Sequence, residues 1–242
     1  MSIYSERIYR GRASARGMVS FGVAVRETDL WVSSGKNLEK EARDLVFDCR
    51  HQLETYIRSH PDFATTLYPY QKDDFAPPLI KSMIRETGRV GVGPMASVAG
   101  AIAQYVAEGL LEFTDQVVVE NGGDIFMKAD RAVTVSIFAG PSSLSERLGL
   151  LIPPRQMPMG VCSSSGSVGH SFSAGIADVV CLVSRSAVLA DAAATALGNT
   201  IQQKSALEQA AAWSERISDI LGGVVIVADK MVAWGNIELV EV

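Results

Sequence analysis

Leu189-Ala190-Asp191-Ala192-Ala193-Ala194-Thr195-Ala196-Leu197-Gly198-Asn199 is the stretch on which the reading of this chain turns. Alanine, the best helix former, fills it, and a helix is predicted here. Asp191 and Thr195 stand four residues apart, which puts their oxygens on one helix face, one turn apart. The alanines around them leave no side chain to hold other backbone or a ligand away. A carboxylate and a hydroxyl on such a bare face suit a hard cation such as Mg²⁺, which takes oxygen ligands and keeps part of its coordination for phosphate or water. A local reading stands beside this one. Aspartate near a helix start is favoured by the macrodipole, and threonine can bond back to its own backbone. On this stretch alone the local reading is the simpler.

The bulk of the chain narrows the choices. With 242 residues, 48% of them apolar and 20% charged, it can bury a generous core as one domain spanning 1–242. The net charge of −5 argues against a nucleic-acid surface. Basic residues cluster only at Arg7, Arg10, Arg12 and Arg16, a run that reads as a solvated end. Three cysteines, Cys49, Cys162 and Cys181, are odd in number and far apart, with no CxxC pair. They indicate neither a disulfide framework nor a zinc site, and suit a reducing cytoplasm. No run of about 18 apolar residues predicts a membrane span, and the N-terminus lacks the apolar core of a signal peptide.

In chain order, Val19–Val25 and Leu30–Ser34 read as a hairpin around a polar turn at 26–29. Asn37 to about Ser59 reads as an amphipathic helix. Its apolar stripe is Leu38, Ala42, Leu45, Val46, Cys49, Leu53, Tyr56 and Ile57, with Asn37 as N-cap and His51 on the polar face. Residues 60–78, rich in proline and tyrosine, predict a long loop of the lid-like kind. A short helix follows from Pro78 to Glu86. Gly88 to Gly93 then reads as a turn feeding a helix from Pro94 to about Leu111. A glycine turn at a helix start presents free N–H groups that can cradle an anion. Ala96, Ala99, Gly100 and Ala103 equally let that helix lie close on a sheet, and packing is the stronger reading.

Val117–Glu120 and Ile125–Lys128 predict strands around Asn121-Gly122-Gly123-Asp124, a favoured hairpin turn whose glycines would also admit a ligand to the backbone. Further strands are predicted at 133–138, 148–152, 159–162 and 178–184. Between the last two lies a Ser/Gly stretch, 163–173, whose hydroxyls and N–H groups can hold phosphate or ribose oxygens and which carries His170. It reads equally as an ordinary loop, and nothing local supplies the acid a Ser-His-Asp set requires. A second helix, 205–221, and three short strands, 224–229, 231–235 and 237–242, complete the chain. The order predicts an α+β sandwich with a mainly antiparallel sheet and packed helices.

Taken together, these stretches resemble the ApbE superfamily, whose best-known members are FAD:protein FMN transferases. The chain looks like a compact branch of it. The family's "ADA…TA" pattern is matched by Ala190-Asp191-Ala192 with Thr195-Ala196. In that family the aspartate and threonine bind a divalent metal together with an alanine carbonyl of the glycine-rich segment, by residue match Ala96. The family's "NLGGD" turn resembles Asn121-Gly122-Gly123-Asp124, and its "TSG" nucleotide turn resembles Ser164-Ser165-Gly166. The histidine that follows corresponds to His170. The glycine-rich segment, "DLGGIAKG" in the family, is here Gly91-Val92-Gly93-Pro94-Met95-Ala96-Ser97-Val98, so Gly91 replaces the acid and Ser97 the lysine. The family's "DPRTG" segment is absent, with Ser173-Ala174-Gly175 near its place.

The resemblance implies metal ligands at Asp191, Thr195 and Ala96. It implies a cofactor cradle at Asn121, Gly122, Gly123, Asp124, Ser164, Ser165 and Gly166, with His170 as the candidate for proton transfer. The expected cofactors are Mg²⁺ and FAD or FMN. The leading expectation is a cytoplasmic protein, a candidate homodimer, that binds a divalent metal and a flavin or nucleotide-type small molecule. One alternative is an active Mg²⁺-dependent FAD pyrophosphatase or FMN transferase acting on a protein. Another is a non-catalytic accessory subunit. No nucleic-acid or membrane partner is expected.

Overall fold

Runs of valine that are too apolar for a half-exposed strand explain the central layer. The computed structural model describes residues 17–166 and 174–242, and Arg7, Arg10, Arg12, Arg16 and His170 lie outside them. Eight strands form one sheet in the order β1 (Val19–Val25), β2 (Thr28–Ser34), β3 (Val117–Asn121), β4 (Asp124–Lys128), β7 (Met159–Ser164), β8 (Val179–Ser184), β9 (Ile220–Val227) and β10 (Lys230–Gly235). A second, small sheet has the order β11 (Glu238–Glu241), β6 (Leu148–Ile152), β5 (Val133–Ser136). Every strand pairing among the described residues is antiparallel, as the sequence predicts.

The middle of the large sheet, from β3 through β4, β7 and β8 to β9, is buried on both faces, which is why β3 reads as an unbroken apolar run. Val117 and Val119 join the helix-side core, while Val118 joins the core shared with the small sheet. The same alternation sends Phe126 and Cys162 to the helices and Ile125, Met127 and Val161 to the small sheet. The architecture is therefore helices, large sheet, small sheet.

On the helix side, α1 (Glu39–Ser59) buries Ala42, Val46, Cys49, Leu53 and Tyr56 over the first hairpin, and His51 is exposed as expected. The N-cap of α1 is Leu38 and not the expected Asn37, although Asn37 Oδ1 accepts from Glu39 N–H at 3.0 Å. The 60–78 segment contains a short helix, α2 (Asp62–Thr65). Phe63 there is fully buried and meets Tyr56 and Tyr70 edge-on, and Tyr56 donates to Asp73. α3 (Pro78–Val90) runs past the expected end at Glu86 and takes in Gly88. Its stop is Gly91, whose φ of 78° turns the chain so that Val92 N–H also reaches Thr87 O at 3.2 Å. The predicted turn therefore shrinks to Gly91–Gly93, followed by a 3₁₀ turn at Pro94–Ser97 and α4 (Val98–Leu110).

The expected single helix over 205–221 is corrected. A 3₁₀ turn at Lys204–Gln209 and a short α6 (Ala210–Ser214) stand there, and Ile220 already opens β9. The apolar spacing of Leu207, Ala210 and Trp213 is helical, but Ser214 takes the indole N–H of Trp234 on β10 at 2.5 Å, and Asp219 turns the chain with φ 76°.

α5 (Ala187–Thr200) is the stretch quoted at the outset, and every residue from Ala187 to Gly198 is buried. A helix apolar all round belongs inside a protein. Ser186 caps it by accepting from Leu189 N–H at 3.3 Å. Its first turn presses on β7, where a Cβ on Gly160 would stand 2.5 Å from Ala187 Cα and 2.6 Å from Ala187 N. These are backbone atoms that cannot swing aside. Gly160→Ala is expected to cost about 1–3 kcal/mol of stability through overpacking. Gly88→Ala, exposed in α3 with nothing within 4 Å of the added Cβ, is expected to add about 0.8–1 kcal/mol. Urea unfolding midpoints that move in the same direction for both variants would contradict this packing.

Candidate functional site

Polar side chains on the helix face of the sheet collect at one end of β3, β4 and β7, beneath α4 and α5. Asn121 ends β3 and Asp124 begins β4, opposite each other across the two-residue turn Gly122-Gly123. Positive φ values of 68° and 107° at those glycines make the turn of the type that glycine pairs favour. Asn121 Nδ2 donates to Ala99 O, in the first turn of α4, at 3.1 Å. One residue on, Gly100 N–H donates to Asp191 Oδ2 of α5 at 2.8 Å. A turn further along α5, Thr195 Oγ1 meets Ser164 Oγ at the end of β7 at 3.5 Å. Ser163 N–H, beside it, donates to Asp124 Oδ1 at 3.1 Å. Asn121, the start of α4, Asp191, Thr195, the end of β7 and Asp124 thus form a ring that closes on itself.

Asp191 and Asp124 are 4% and 5% exposed, Thr195 6% and Ser164 3%. Burial pushes the Asp124 carboxyl up to about 7; the Glu120 charge adds to the rise, and bonds from Ser163 and the Cys162 thiol oppose it. Burial likewise holds Asp191 well above the carboxylate range, the charge of Asp124 adds to it, and the Gly100 and Ala99 amides oppose it. The Cys162 thiol is placed to donate to Ala187 O at 3.3 Å, and burial together with the charges of Asp124 and Asp191 raises it. Among the described residues no lysine or arginine acts on either carboxyl.

Ala96 packs against Ala192 and Ala196, beside the Asp191–Thr195 face of α5. Ser97, which stands where the family carries lysine, is fully buried and donates to Pro94 O at 2.9 Å. Gly122 and Gly123 sit at the hairpin tip, and Gly123 N–H is taken by Glu120 Oε1 at 2.8 Å. Ser165 and Gly166 leave the ring toward 167–173, and Gly166 N–H donates to Ala177 O at 3.0 Å. The other flank of that segment is tied to the end of α5: Ala174 N–H donates to Asn199 Oδ1 at 2.8 Å, and Gln202 Nε2 donates to Ala174 O at 3.1 Å. Three contributors escaped the sequence reading: the Gly100 amide, Cys162 and Asn199. Gly100 was legible only as a packing glycine.

A family model described as "AbpE bacteria" matches residues 11–234. The chain belongs to this family. A UPF0280 protein of Methanothrix thermoacetophila is 42% identical over 198 residues, covering 81% of this chain and 83% of its own. A UPF0280 protein of Methanocella arvoryzae is 39% identical over 214 residues, 88% and 87% of the two chains. Of solved structures, a flavin transferase ApbE from Vibrio cholerae superposes with a TM-score of 0.60 at 13% identity, covering 89% of this chain and 97% of that one. A flavinyl transferase ApbE from Pseudomonas stutzeri gives 0.59 at 12%, with 90% and 94% covered. At these identities the likeness is one of fold: this AbpE-family chain is an ApbE-like α+β protein.

The raised carboxyls set the sign of a pH dependence in metal-free protein. Both hold protons in the folded chain where the unfolded chain, titrating near about 3.9, has lost them. Their contribution is therefore full below about pH 4 and is lost as pH rises through the folded values. Urea unfolding in EDTA is expected to show this contribution falling between about pH 5 and pH 8, and Asp124→Asn is expected to flatten the fall. Identical pH profiles for the two proteins would refute it.

Proposed function

We propose that this chain holds a divalent cation with Asp191 Oδ, Thr195 Oγ1 and the backbone carbonyl of Ala96, and binds a flavin or related nucleotide beside it. The observation that supports this reading is the ring itself: buried oxygens, two of them on carboxyl groups, with no lysine or arginine among the described residues acting on those carboxyls. Such a donor set fits a hard cation. The ApbE-like fold and the flavin transferases that share it favour a flavin as the ligand.

Within that reading the residues divide the work. Asp191 is oriented by the start of α4, so its carboxylate needs no rearrangement to meet a cation. Ser164 aligns the Thr195 hydroxyl. Ser165 and Gly166, next to Ser164, offer the nearest chain to nucleotide oxygens, and the 167–173 segment carries His170 as the candidate proton carrier. The cation, when bound, supplies Lewis-acid neutralisation of pyrophosphate charge. Gly91 and Ser97 add no charge there, which favours metal and ligand binding over full transferase activity. The cysteines are free and buried, in keeping with a reducing cytoplasm.

The test combines binding with turnover. Mg²⁺ with FAD is expected to raise the melting temperature, by the equivalent of about 2.7 kcal/mol at a hundredfold excess over Kd. EDTA or Asp191→Ala is expected to abolish the rise. AMP and FMN are followed in the same samples. EDTA-sensitive AMP release would make the protein an FAD-cleaving enzyme. Neither stabilisation nor release would overturn the reading.

A further inference from the structure

We propose that Asp124 is the second carboxylate of the cation site, and that with Asp191 it makes the site selective for divalent over monovalent cations. The inference rests on the reading just given and adds a residue that the motif match assigns to the nucleotide cradle.

Four observations place Asp124 on the cation side. It is almost wholly buried, on the helix face of β4, whereas the Gly122-Gly123 tip beside it points outward. Its Oδ1 is fixed by Ser163 N–H at 3.1 Å, the residue before the Ser164 that meets Thr195. Its opposite residue, Asn121, holds the turn of α4 that binds Asp191, so Asp124 and Asp191 are tied to each other from both directions round the ring. Cys162, on the helix face of β7 two residues before Ser164, feels the charge of both carboxylates. The hydrogen-bond donors that reach Asp124 are an amide and a thiol, neither of which carries charge.

Two buried carboxylates on one ring form a poor home for one sodium or potassium ion, which leaves a net negative charge behind. A divalent cation matches them. Asp124 either joins the cation's oxygen shell directly or binds it through a water, and in both cases its charge enters the affinity. This also gives the buried charge of β4 a purpose that strand formation does not require, since aspartate is depleted in strands.

Titration calorimetry with Mn²⁺ alone, in excess K⁺, tests the proposal on the full chain. The proteins are wild type, Asp191→Asn, Asp124→Asn and Asp124→Glu, with metal-free melting temperatures measured for each. Wild type is expected to bind. Asp124→Asn is expected to lose tenfold or more in affinity without a lower metal-free melting temperature, and to become more sensitive to K⁺ competition. Asp124→Glu is expected to recover part of the loss. Should Asp124→Asn not fold, Asp124→Ser takes its place, since its hydroxyl can still accept from Ser163. Wild-type binding that Asp191→Asn weakens and Asp124→Asn leaves unchanged would overturn this inference and leave the metal site standing. No Mn²⁺ binding by the wild type would overturn both.

Discussion

One contact sets the geometry of the whole helical layer: the Asp191 carboxylate against the first turn of α4. Helices leave their first N–H groups without partners, and Ser97, at the capping position of α4, spends its hydroxyl on Pro94 O instead. Asp191 reaches across from a different helix and satisfies Gly100 N–H. That is possible only because residue 100 is glycine. A Cβ there would overlap Ala187 O and stand 2.9 Å from Asp191 Cβ. The close crossing of α4 and α5 and the placement of a carboxylate at a positive helix end are thus one feature. Gly160 does the same on the other side of α5, letting its first turn rest on β7.

Among the described residues no arginine or lysine acts on either buried carboxyl. Partial positive charge from the Ala99 and Gly100 amides offsets part of the burial of Asp191 but leaves its carboxyl well above the carboxylate range. Asp124 has one amide and one thiol, and burial and the Glu120 charge work against its ionisation, while the charge of Asp124 works against that of Asp191. In metal-free protein the pair is balanced by protons, and in the proposed reading a cation takes their place. Capping and cation binding are therefore not rival explanations of Asp191. A carboxylate has more lone pairs than the amides use, and the cap fixes the direction of those that are left.

Much of this was legible because it is local. The alanine run gave α5, the four-residue step gave Asp191 and Thr195 on one face, and the Gly-Gly pair gave the β3–β4 turn. What escaped is non-local. Nothing near Asp124 in sequence says that its side chain turns toward α5 and not toward a ligand at the hairpin tip; burial of the sheet on both faces decides that. The Asn121–Ala99 and Gly100–Asp191 bonds span 22 and 91 residues. The end of α6 failed for the same reason: the apolar spacing continues, but Ser214 is claimed by Trp234 from a strand formed later in the chain. Gly88 misled in the opposite way, since a glycine inside α3 carries no signal that the true stop is Gly91.

The substitutions in the glycine-rich segment each have a structural occupation. Gly91 closes α3 with a positive φ. Gly93 lies directly under the backbone of Thr66, so the segment is roofed by the chain that leads to the exposed Leu67 and Tyr68. Ser97 folds into its own turn. A segment so committed has no long cationic side chain to extend over a pyrophosphate. Under the proposed function the site is built from the α4 amides, the Asp191 and Thr195 face, and the end of β7. In the proposed reading the burden of neutralising ligand phosphate therefore falls on the cation, and the second carboxylate at Asp124 is what would hold that cation tightly enough to carry it.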